Sequence, residues 1–487
     1  MAGSRGRAWP LVASAIALAA RLAFLNGKSI WVDESYALAL VHEAPLRLII
    51  LAGTGTPHPP FAFLLAWLSS HLFGAGEAGG RMLFALAGAL AALPLFRFCE
   101  RRAGTPGAMI ASLTWAVCPM AVSLGQEAWV YGPLALWSFL ALDTADLAWR
   151  GSKWALAGFI LACAGGFSTQ HLFLLPALAS LGLYFTVERE KRAGWERPAA
   201  GAVVIALMYA PLYALFSHQF RLRSARMASA GIAAGLPSRL SRSAPGVFSQ
   251  LLAGGVFPSP GSGLLARPRM MAAMIALSAT QVVVLISALA DRRSPASLRV
   301  WVALTFAAPF GIFIFDDPGV RQFSTSWAAF AVALALASRR RLVLGLVPLA
   351  ASALLLLPYY SIHSFPYHRS DWRSAVQDIQ HMSEAGDAAV VTGSKSAAQA
   401  WGFYSNGSIP VAFPEGGNPY LAEDREPRQS DPARKLDSLL AGHRRVWLVR
   451  DYWGGPPLDS LVRTGRIVFR HTWGETLEAV LVARIQP

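Results

Sequence analysis

The sequence predicts an all-α polytopic membrane protein that carries a small α/β domain at its C-terminus. Of the 487 residues, 54% are hydrophobic and 15% are charged, whereas about a quarter of the residues are charged in an average globular domain. Long apolar stretches recur over residues 1–359, while residues 360–487 have an ordinary soluble composition. These observations predict a membrane domain at 1–359 and an extramembrane domain at 360–487.

Eleven apolar segments have the roughly 17 to 25 residues that a membrane-spanning helix requires. They cover residues 8–25, 81–98, 107–124, 130–149, 153–169, 171–187, 199–217, 270–290, 297–315, 322–338 and 341–359. The first segment lacks a convincing signal-peptide cleavage site, so we expect an uncleaved span. A twelfth candidate, residues 59–73, is shorter and is flanked by His58 and His71.

Basic residues set the expected orientation, because short cytoplasmic loops are enriched in Lys and Arg. If residues 59–73 form an interfacial amphipathic helix, seventeen basic residues fall in six short segments on one side of the membrane. If residues 59–73 span, every later loop is inverted. We therefore expect a cytoplasmic N-terminus, a first outer loop at 26–80, a long outer loop at 218–269 and an external C-terminal domain.

The same distribution explains the formal net charge of +15. Residues 1–359 hold 29 Lys and Arg against 14 Asp and Glu, and residues 360–487 hold 14 of each. Most of the excess therefore records membrane orientation, and it does not indicate nucleic acid as a partner. The three cysteines all fall in or beside apolar runs, so neither a disulfide framework nor a cysteine zinc site is expected.

The C-terminal 128 residues show alternating helical and strand-like patterns. Residues 371–382 look helical with Asp371 as a cap, and 395–404 look helical as well. Residues 388–392, 445–450 and 478–485 look like strands. Alternation of this kind is typical of a small α/β domain.

Unusual polar residues gather in the loops that the charge pattern places outside. They are Asp33 and Glu34 in I-W-V-D-E-S-Y, T-P-H-P-P at 56–60, G-Q-E-A-W-V-Y at 125–131, Gln170 with His171, and D-D-P-G-V-R at 316–321. Ionisable residues at a membrane boundary indicate a functional site. Together they suit chemistry on a phosphorylated lipid, in which a carboxylate acts as general base and a cation or a metal ion stabilises the departing phosphate.

Each of these residues also has a plainer interpretation. Asp33 and Glu34 are compatible with a solvated pair or with a cap for a helix that begins near Ser35. His58 and His171 are compatible with interfacial histidines that bind backbone groups, and Arg321 with an ion pair to a neighbouring aspartate. Glu127 lies in an almost uncharged segment and is the hardest to explain without a function.

The ordered motifs W-V-D-E-S-Y, H-P-P-F, F-G-x-x-E-x-x-x-R at 73–81, Q-E-A-x-x-Y and D-W-R resemble the GT-C class of membrane glycosyltransferases. More narrowly, the chain is similar to the bacterial branch of the dolichyl-phosphate-mannose protein mannosyltransferase and aminoarabinose-transferase superfamily. This resemblance implies an inverting transfer of a hexose or pentose from a polyprenyl-phosphate-linked donor, at the outer face of the bacterial inner membrane. It implies a lipid, glycan or protein acceptor.

By the same resemblance, Asp33 matches the general base, Glu34 a neighbour that holds donor or acceptor, and Glu127 an acidic residue near the donor phosphate or a divalent metal such as Mg²⁺, Mn²⁺ or Zn²⁺. We expect the donor and its phosphate to be bound by His58, Gln126, Tyr131, Gln170, His171, Arg221 and Arg321. The sequence departs from the family pattern where Trp129 replaces a common arginine and where Gln322 follows Arg321. Arg221 and Arg223 are candidate substitutes for the missing cation.

Two other functions remain open from the sequence. A lipid or solute transporter, such as a flippase, predicts polar residues near the bilayer midplane at broken helices. A polysaccharide ligase or polymerase also acts outside, but on a glycan linked to a polyprenyl diphosphate. The one-sided placement of the polar residues favours a transferase over a transporter.

Overall fold

The computed structural model shows a helical bundle that ends at Ser361 and a smaller part with a β-sheet after it. The described residues are 8–30, 32–55, 58–229, 268–309, 326–361, 370–392, 395–405, 407–413, 432–451, 457–473 and 477–485. The predicted boundary between the two domains is followed directly by 362–369, which lie outside these ranges.

The described part of the bundle contains sixteen α-helices. They are α1 Trp9–Leu22, α2 Val32–Ala39, α3 Pro45–Gly55, α4 Phe61–Phe73, α5 Glu77–Leu90, α6 Ala92–Ala103, α7 Thr105–Val117, α8 Pro119–Gly125, α9 Tyr131–Ala148, α10 Lys153–Thr169, α11 Leu174–Gly182, α12 Glu196–Ser229, α13 Pro268–Leu289, α14 Ala296–Ala307, α15 Ser326–Arg340 and α16 Val343–Ser361. Every apolar segment predicted to span the membrane overlaps one or two of these helices.

Three helical stretches among the described residues are long and apolar enough to cross a membrane: Glu77–Ala103, Glu196–Ala214 and Val343–Ser361. α7 and α8 form a fourth if their 59° bend is counted as a broken span. Other apolar helices, including α1 and α4, have 10 to 17 residues. The predicted count of eleven spans stays a prediction.

The loop boundaries differ from the predicted ones at two places. α5 begins at Glu77, and the predicted loop 26–80 contains three helices, α2 to α4. The predicted outer loop 218–269 begins as helix, because α12 continues to Ser229. Residues 218–229 hold three Arg, two Ala, one Leu, one Met and one Gln and contain neither Gly nor Pro, so their composition favours continuation of the helix.

A buried ion network lies between α6 and α9. Asp143 and Asp146 are buried, and Arg101 donates to both at 2.7 Å. Arg102 also binds Asp146, and Arg97 lies 3.5 Å from Asp143. Two aspartates inside an apolar helix therefore neutralise part of a basic cluster that the sequence assigns to a cytoplasmic loop.

The C-terminal part is built on a five-stranded sheet in the order β2-β1-β3-β5-β4. The strands are β1 Ala388–Thr392, β2 Val411–Ala412, β3 Arg445–Asp451, β4 Gly465–Trp473 and β5 Leu477–Arg484, and the helices are α17 Trp372–Met382, α18 Lys395–Tyr404, α19 Pro432–Gly442 and α20 Leu458–Leu461. β1 pairs parallel with β2 and β3, while β5 is antiparallel to both β3 and β4.

All five elements predicted for this part are present, and Asp371 caps α17 by accepting from Ser374 N at 3.3 Å. The prediction missed β2, β4, α19 and α20. β4 is an edge strand that is largely exposed, so its sequence lacks the apolar alternation that identifies a half-buried strand.

Candidate active site

The short helix α2 carries the two acidic residues of the first motif in its first turn. Carboxylates are favoured there because the free N–H groups of a helix N-terminus carry partial positive charge. Asp33 is partly buried, whereas Glu34 is completely buried. The two neighbours therefore have different surroundings and different roles.

Glu34 forms a buried two-pronged ion pair with Arg81 of α5. Arg81 Nε lies 2.7 Å from Glu34 Oε1, and Nη2 lies 2.8 Å from Oε2. The backbone N–H of Ala128 also donates to Glu34 Oε1 at 2.9 Å. Glu34 thus joins α2, α5 and the turn after α8, and the donor or acceptor contact expected of it stays a prediction.

Arg81 also fixes the chain that leads into α2. Its guanidinium donates to the carbonyl oxygens of Leu25, Lys28 and Ser29 at 2.9, 2.8 and 3.2 Å. Irregular backbone buried in a membrane protein must find such partners, because water is not available to bind it. The arginine of F-G-x-x-E-x-x-x-R therefore sets the path of the segment before Asp33.

His58 lies beside Asp33 and links it to two other motifs. His58 Nδ1 is 3.4 Å from Gln170 Nε2, and the ring of Trp129 meets the imidazole edge-on with centroids 4.9 Å apart. Loss of hydration lowers the pKa of His58 to about 4, while the charge of Asp33 acts in the opposite direction. The structure thus brings together three loops whose polar residues were predicted to converge.

The low pKa of His58 predicts a pH-dependent stability. An unfolded histidine titrates near 6.5, so the unfolded chain binds more protons than the folded one between about pH 6.5 and pH 4, and stability falls as the pH is lowered through this range. We expect the thermal unfolding midpoint of His58→Gln to fall less than that of the wild type between about pH 7 and pH 4.5. Equal pH dependence in both proteins would contradict this.

The turn between α8 and α9 contains Gln126 and Glu127, which are both buried. Gln126 Nε2 donates to the carbonyl oxygens of Arg21 and Ala23, both at 2.8 Å. Gln126 Oε1 accepts from Tyr359 Oη at 2.5 Å. The nitrogen and the oxygen of its amide both bind protein groups, and the phosphate contact expected of Gln126 stays a prediction.

Glu127 is fully buried and directly precedes Ala128, whose N–H binds Glu34. Tyr131 begins α9 and is buried, and Gln170 accepts from the N–H of His171 at 2.9 Å. Arg221 lies in α12, and its side chain is outside the described part of the structure. Arg321, with Asp316 and Asp317, lies outside the described residues altogether.

Within the described residues, no group of three or more His, Cys, Asp or Glu side chains is arranged to hold a metal ion. The divalent metal expected near Glu127 stays a prediction. No step proposed below is routed through a metal.

Arg21 supports the broken helix that delivers Glu127. It is completely buried in α1. Its guanidinium donates to Ala17 O at 3.0 Å, Ala116 O at 3.2 Å and Ala121 O at 3.1 Å. The last two acceptors lie on either side of the bend between α7 and α8, where Pro119 lacks an N–H and helical hydrogen bonding is interrupted.

The close fit of Arg21 explains why Gly125 precedes the Q-E pair. A Cβ atom at Gly125 would lie 2.6 Å from Arg21 Nε. We expect Gly125→Ala to destabilise the protein by about 1–3 kcal/mol, the usual cost of overpacking, and to lower the thermal unfolding midpoint. Gly442→Ala is the control, since a Cβ there meets nothing within 4 Å. A midpoint in Gly125→Ala as high as in the control would contradict the assignment.

Sequence reasoning did not assign Arg21, Arg81 or Lys28 to the site. Arg21 interrupts an apolar span and Arg81 belongs to a quoted motif, so both gave a signal. Lys28 is buried with its Nζ 4.2 Å from the ring centroid of Tyr359. The burial of Lys28 and its contact with Tyr359 depend on how distant parts of the chain pack together, and the sequence around Lys28 does not predict them.

A cleft of about 630 Å³ opens between the first loop and the C-terminal part. One wall comes from the end of α2 and the residues after it, including Leu38 and His42. The opposite wall comes from α18 and the chain after β2, including Gln399, Phe403 and Phe413. The helix that carries Asp33 therefore borders a space that is large enough for a small-molecule group.

Comparison with known proteins supports the class that the fold and the site define. The chain resembles ArnT from Cupriavidus metallidurans bound to undecaprenyl phosphate, with a TM-score of 0.58, 14% identity, and 98% of each chain covered. It also resembles the Archaeoglobus fulgidus oligosaccharyltransferase in complex with Zn and sulfate, with a TM-score of 0.51, 16% identity, and 91% of this chain and 68% of that chain covered.

A third similar structure is the arabinofuranosyltransferase AftD from Mycobacteria, with a TM-score of 0.52 and 15% identity, covering 97% of this chain and 41% of that chain. At these identities the likeness concerns the fold, which is that of the GT-C membrane transferases. No curated protein sequence matches the chain.

Residues 57–215 match the family described as dolichyl-phosphate-mannose-protein mannosyltransferase. This range contains His58, Glu127 and Gln170. The resemblance inferred from the motifs is therefore confirmed: the chain is similar to this family over residues 57–215, and its fold is similar to that of ArnT.

Proposed function

We propose that this protein transfers a sugar from a polyprenyl-phosphate-linked donor to an acceptor hydroxyl, with inversion at the anomeric carbon. The observation that carries the proposal is the convergence of Asp33, His58, Gln170 and the Glu127 turn at one end of the helical bundle. The family match supports glycosyl transfer, and undecaprenyl phosphate in the ArnT structure supports a lipid-linked donor.

Asp33 is the general base in this proposal. Its carboxylate takes the proton of the acceptor hydroxyl while the acceptor oxygen forms a bond to the anomeric carbon. The bond between that carbon and the phosphate oxygen breaks, and the polyprenyl phosphate leaves with the electron pair. Attack from the face opposite the leaving group inverts the anomeric centre.

Polar side chains near Asp33 bind the donor through hydrogen bonds in this proposal. His58 contacts Gln170, which directly precedes His171. The ring of Trp129 lies against His58, at a position where relatives often carry arginine. Arg321 is assigned to the phosphate by resemblance, Arg221 is a candidate substitute for the arginine that Trp129 replaces, and Glu127 lies near the donor phosphate. The acceptor reaches Asp33 from the cleft beside α2.

The proposed location is the bacterial inner membrane, with the N-terminus in the cytoplasm and the C-terminal domain outside. The seventeen basic residues in six short segments support this orientation. In this arrangement the site faces outward, where a lipid-linked sugar is the natural activated donor.

The test begins with a strain that lacks the gene, because a missing sugar in its surface glycans or glycolipids identifies the donor. The purified protein in proteoliposomes is then supplied with that polyprenyl-phosphate sugar and an extract containing the acceptor. Release of polyprenyl phosphate together with transfer of the sugar supports the proposal. Movement of the intact lipid-linked sugar across the bilayer indicates a transporter, and release of polyprenyl diphosphate indicates a ligase or polymerase.

A further inference from the structure

A network of polar contacts joins the C-terminal part of the chain to the segment that precedes Asp33. Arg373, from the D-W-R motif, binds the carboxylate of Glu77 through Nε at 3.1 Å and through Nη2 as well. Glu77 also accepts a hydrogen bond from the hydroxyl of Tyr404. Glu77 is nearly buried, whereas the Arg373 side chain is 30% exposed, so this ion pair is open to solvent on the arginine side.

The same two C-terminal residues hold the backbone before α2. Tyr404 Oη accepts from Ile30 N at 2.7 Å and from Ser29 Oγ at 3.1 Å. Arg373 N donates to Ser29 Oγ at 3.2 Å, and Arg373 Nη2 donates to Asn26 O at 2.6 Å. Arg373, Ser29, Tyr404 and Glu77 therefore form a closed ring of hydrogen bonds.

The direction of the hydrogen bonds in the ring depends on whether the Tyr404 hydroxyl keeps its proton. Burial, followed by the neighbouring Glu77 carboxylate, raises the pKa of the Tyr404 hydroxyl. The hydroxyl thus stays protonated and donates to Glu77 while it accepts from Ile30 and Ser29. Within the ring, Arg373 donates to Ser29 and to Glu77, Ser29 donates to Tyr404, and Tyr404 donates to Glu77.

Helix α5 of the bundle also contacts the segment that precedes Asp33. Glu77 and Arg81 are four residues apart and therefore lie on one face of the helix. Arg81 binds the carbonyl oxygens of Leu25, Lys28 and Ser29 and the side chain of Glu34. The Glu and the Arg of F-G-x-x-E-x-x-x-R thus hold residues 25–34 between the bundle and the C-terminal domain.

We propose that the C-terminal domain completes the active site, with Glu77, Arg373 and Tyr404 acting as positioning residues that hold Asp33 in its reactive place. This inference rests on the proposed function of Asp33. Reaction rates depend steeply on such placement, since a displacement of about 1 Å can cost roughly 100-fold. The ring also borders the cleft beside α2, since Gly76 and Phe403, which line it, are neighbours of Glu77 and Tyr404.

The test uses full-length protein with Glu77→Gln, and with Tyr404→Phe, which removes one hydroxyl only. Hydrogen–deuterium exchange is measured on peptides covering residues 25–36, and sugar transfer is measured with the donor identified in the deletion strain. We expect faster exchange in these peptides, a fall of about 10- to 100-fold in kcat, and a thermal unfolding midpoint close to that of the wild type. The control is Glu384→Gln, whose exposed carboxylate pairs with Arg445 within the C-terminal part.

Exchanging the charges of Glu77 and Arg373 tests how much of the effect comes from the ion pair between them. Glu77→Arg combined with Arg373→Glu restores opposite charges but not the hydrogen bonds from Tyr404 to Glu77 and from Arg373 to Asn26 O. It is therefore expected to recover only part of the protection of residues 25–36 and of kcat, while each single reversal is more strongly impaired. Wild-type kcat in both Glu77→Gln and Tyr404→Phe would overturn the inference, whether or not exchange rises. Failure of the proposed function itself shows separately, as full transfer by Asp33→Asn.

Discussion

Replacing Asp33 by Asn is expected to abolish sugar transfer and leave the protein folded. Asn has nearly the same shape but cannot take the proton of the acceptor hydroxyl, and loss of a general base typically costs about 10²- to 10⁴-fold in rate. The measurement is release of polyprenyl phosphate by purified protein, together with recovery of the missing sugar in the deletion strain. Thermal unfolding checks that the variant is folded.

The control for Asp33→Asn is Glu43→Gln, which changes a carboxylate in the same loop. Glu43 pairs with Arg47 one helical turn later, at 3.1 Å and near solvent, so wild-type transfer is expected. Near-normal turnover by Asp33→Asn would remove Asp33 as the base and, with it, the proposed mechanism.

Replacing Glu34 by Gln is expected to cause a large loss of stability. Arg81 and Glu34 are both buried, with exposed side-chain fractions of 1% and 0%, and removal of one partner leaves the other charge uncompensated, at a cost of about 3–5 kcal/mol. We expect poor recovery of folded protein and a strongly lowered thermal unfolding midpoint. Arg81→Met is expected to behave in the same way.

The double variant Glu34→Gln with Arg81→Met shows whether the pair is coupled. Since neither charge is then left alone, its loss of stability should be smaller than the sum of the two single losses. Asp459→Asn is the control, because Asp459 and Arg470 are exposed by 65% and 44% and such pairs contribute about 0–1 kcal/mol. Additive losses in the double variant would argue against a coupled buried pair.

The candidate site was predictable from sequence only as a set of segments. The pattern of apolar runs and basic loops placed Asp33, His58, Glu127 and Gln170 at one boundary, and the structure brings these segments together. The sequence did not distinguish Asp33 from Glu34, because adjacent acidic residues look alike in a motif. Burial against Arg81 separates them.

The roles of buried charged residues were the hardest to predict. Asp143 and Asp146 lie inside an apolar helix and neutralise arginines of α6, which was not predicted from the sequence. Arg21 interrupts an apolar span, but its sequence does not indicate its partners, which are carbonyl groups 95 and 100 residues away. Such contacts depend on how helices distant in the chain pack together, which local composition does not record.

By itself, the sequence predicted the family resemblance, the helical segments, the expected orientation and the motifs, because these depend on apolar length, charge distribution and short local patterns. Only the tertiary structure showed which polar residues are held by distant buried partners. Glu34 and Gln126 have such partners, and Glu77, Arg373 and Tyr404 join the C-terminal part to the segment that precedes Asp33. The physical reason is that a buried polar group must find a partner, and in this fold that partner lies far away in the chain.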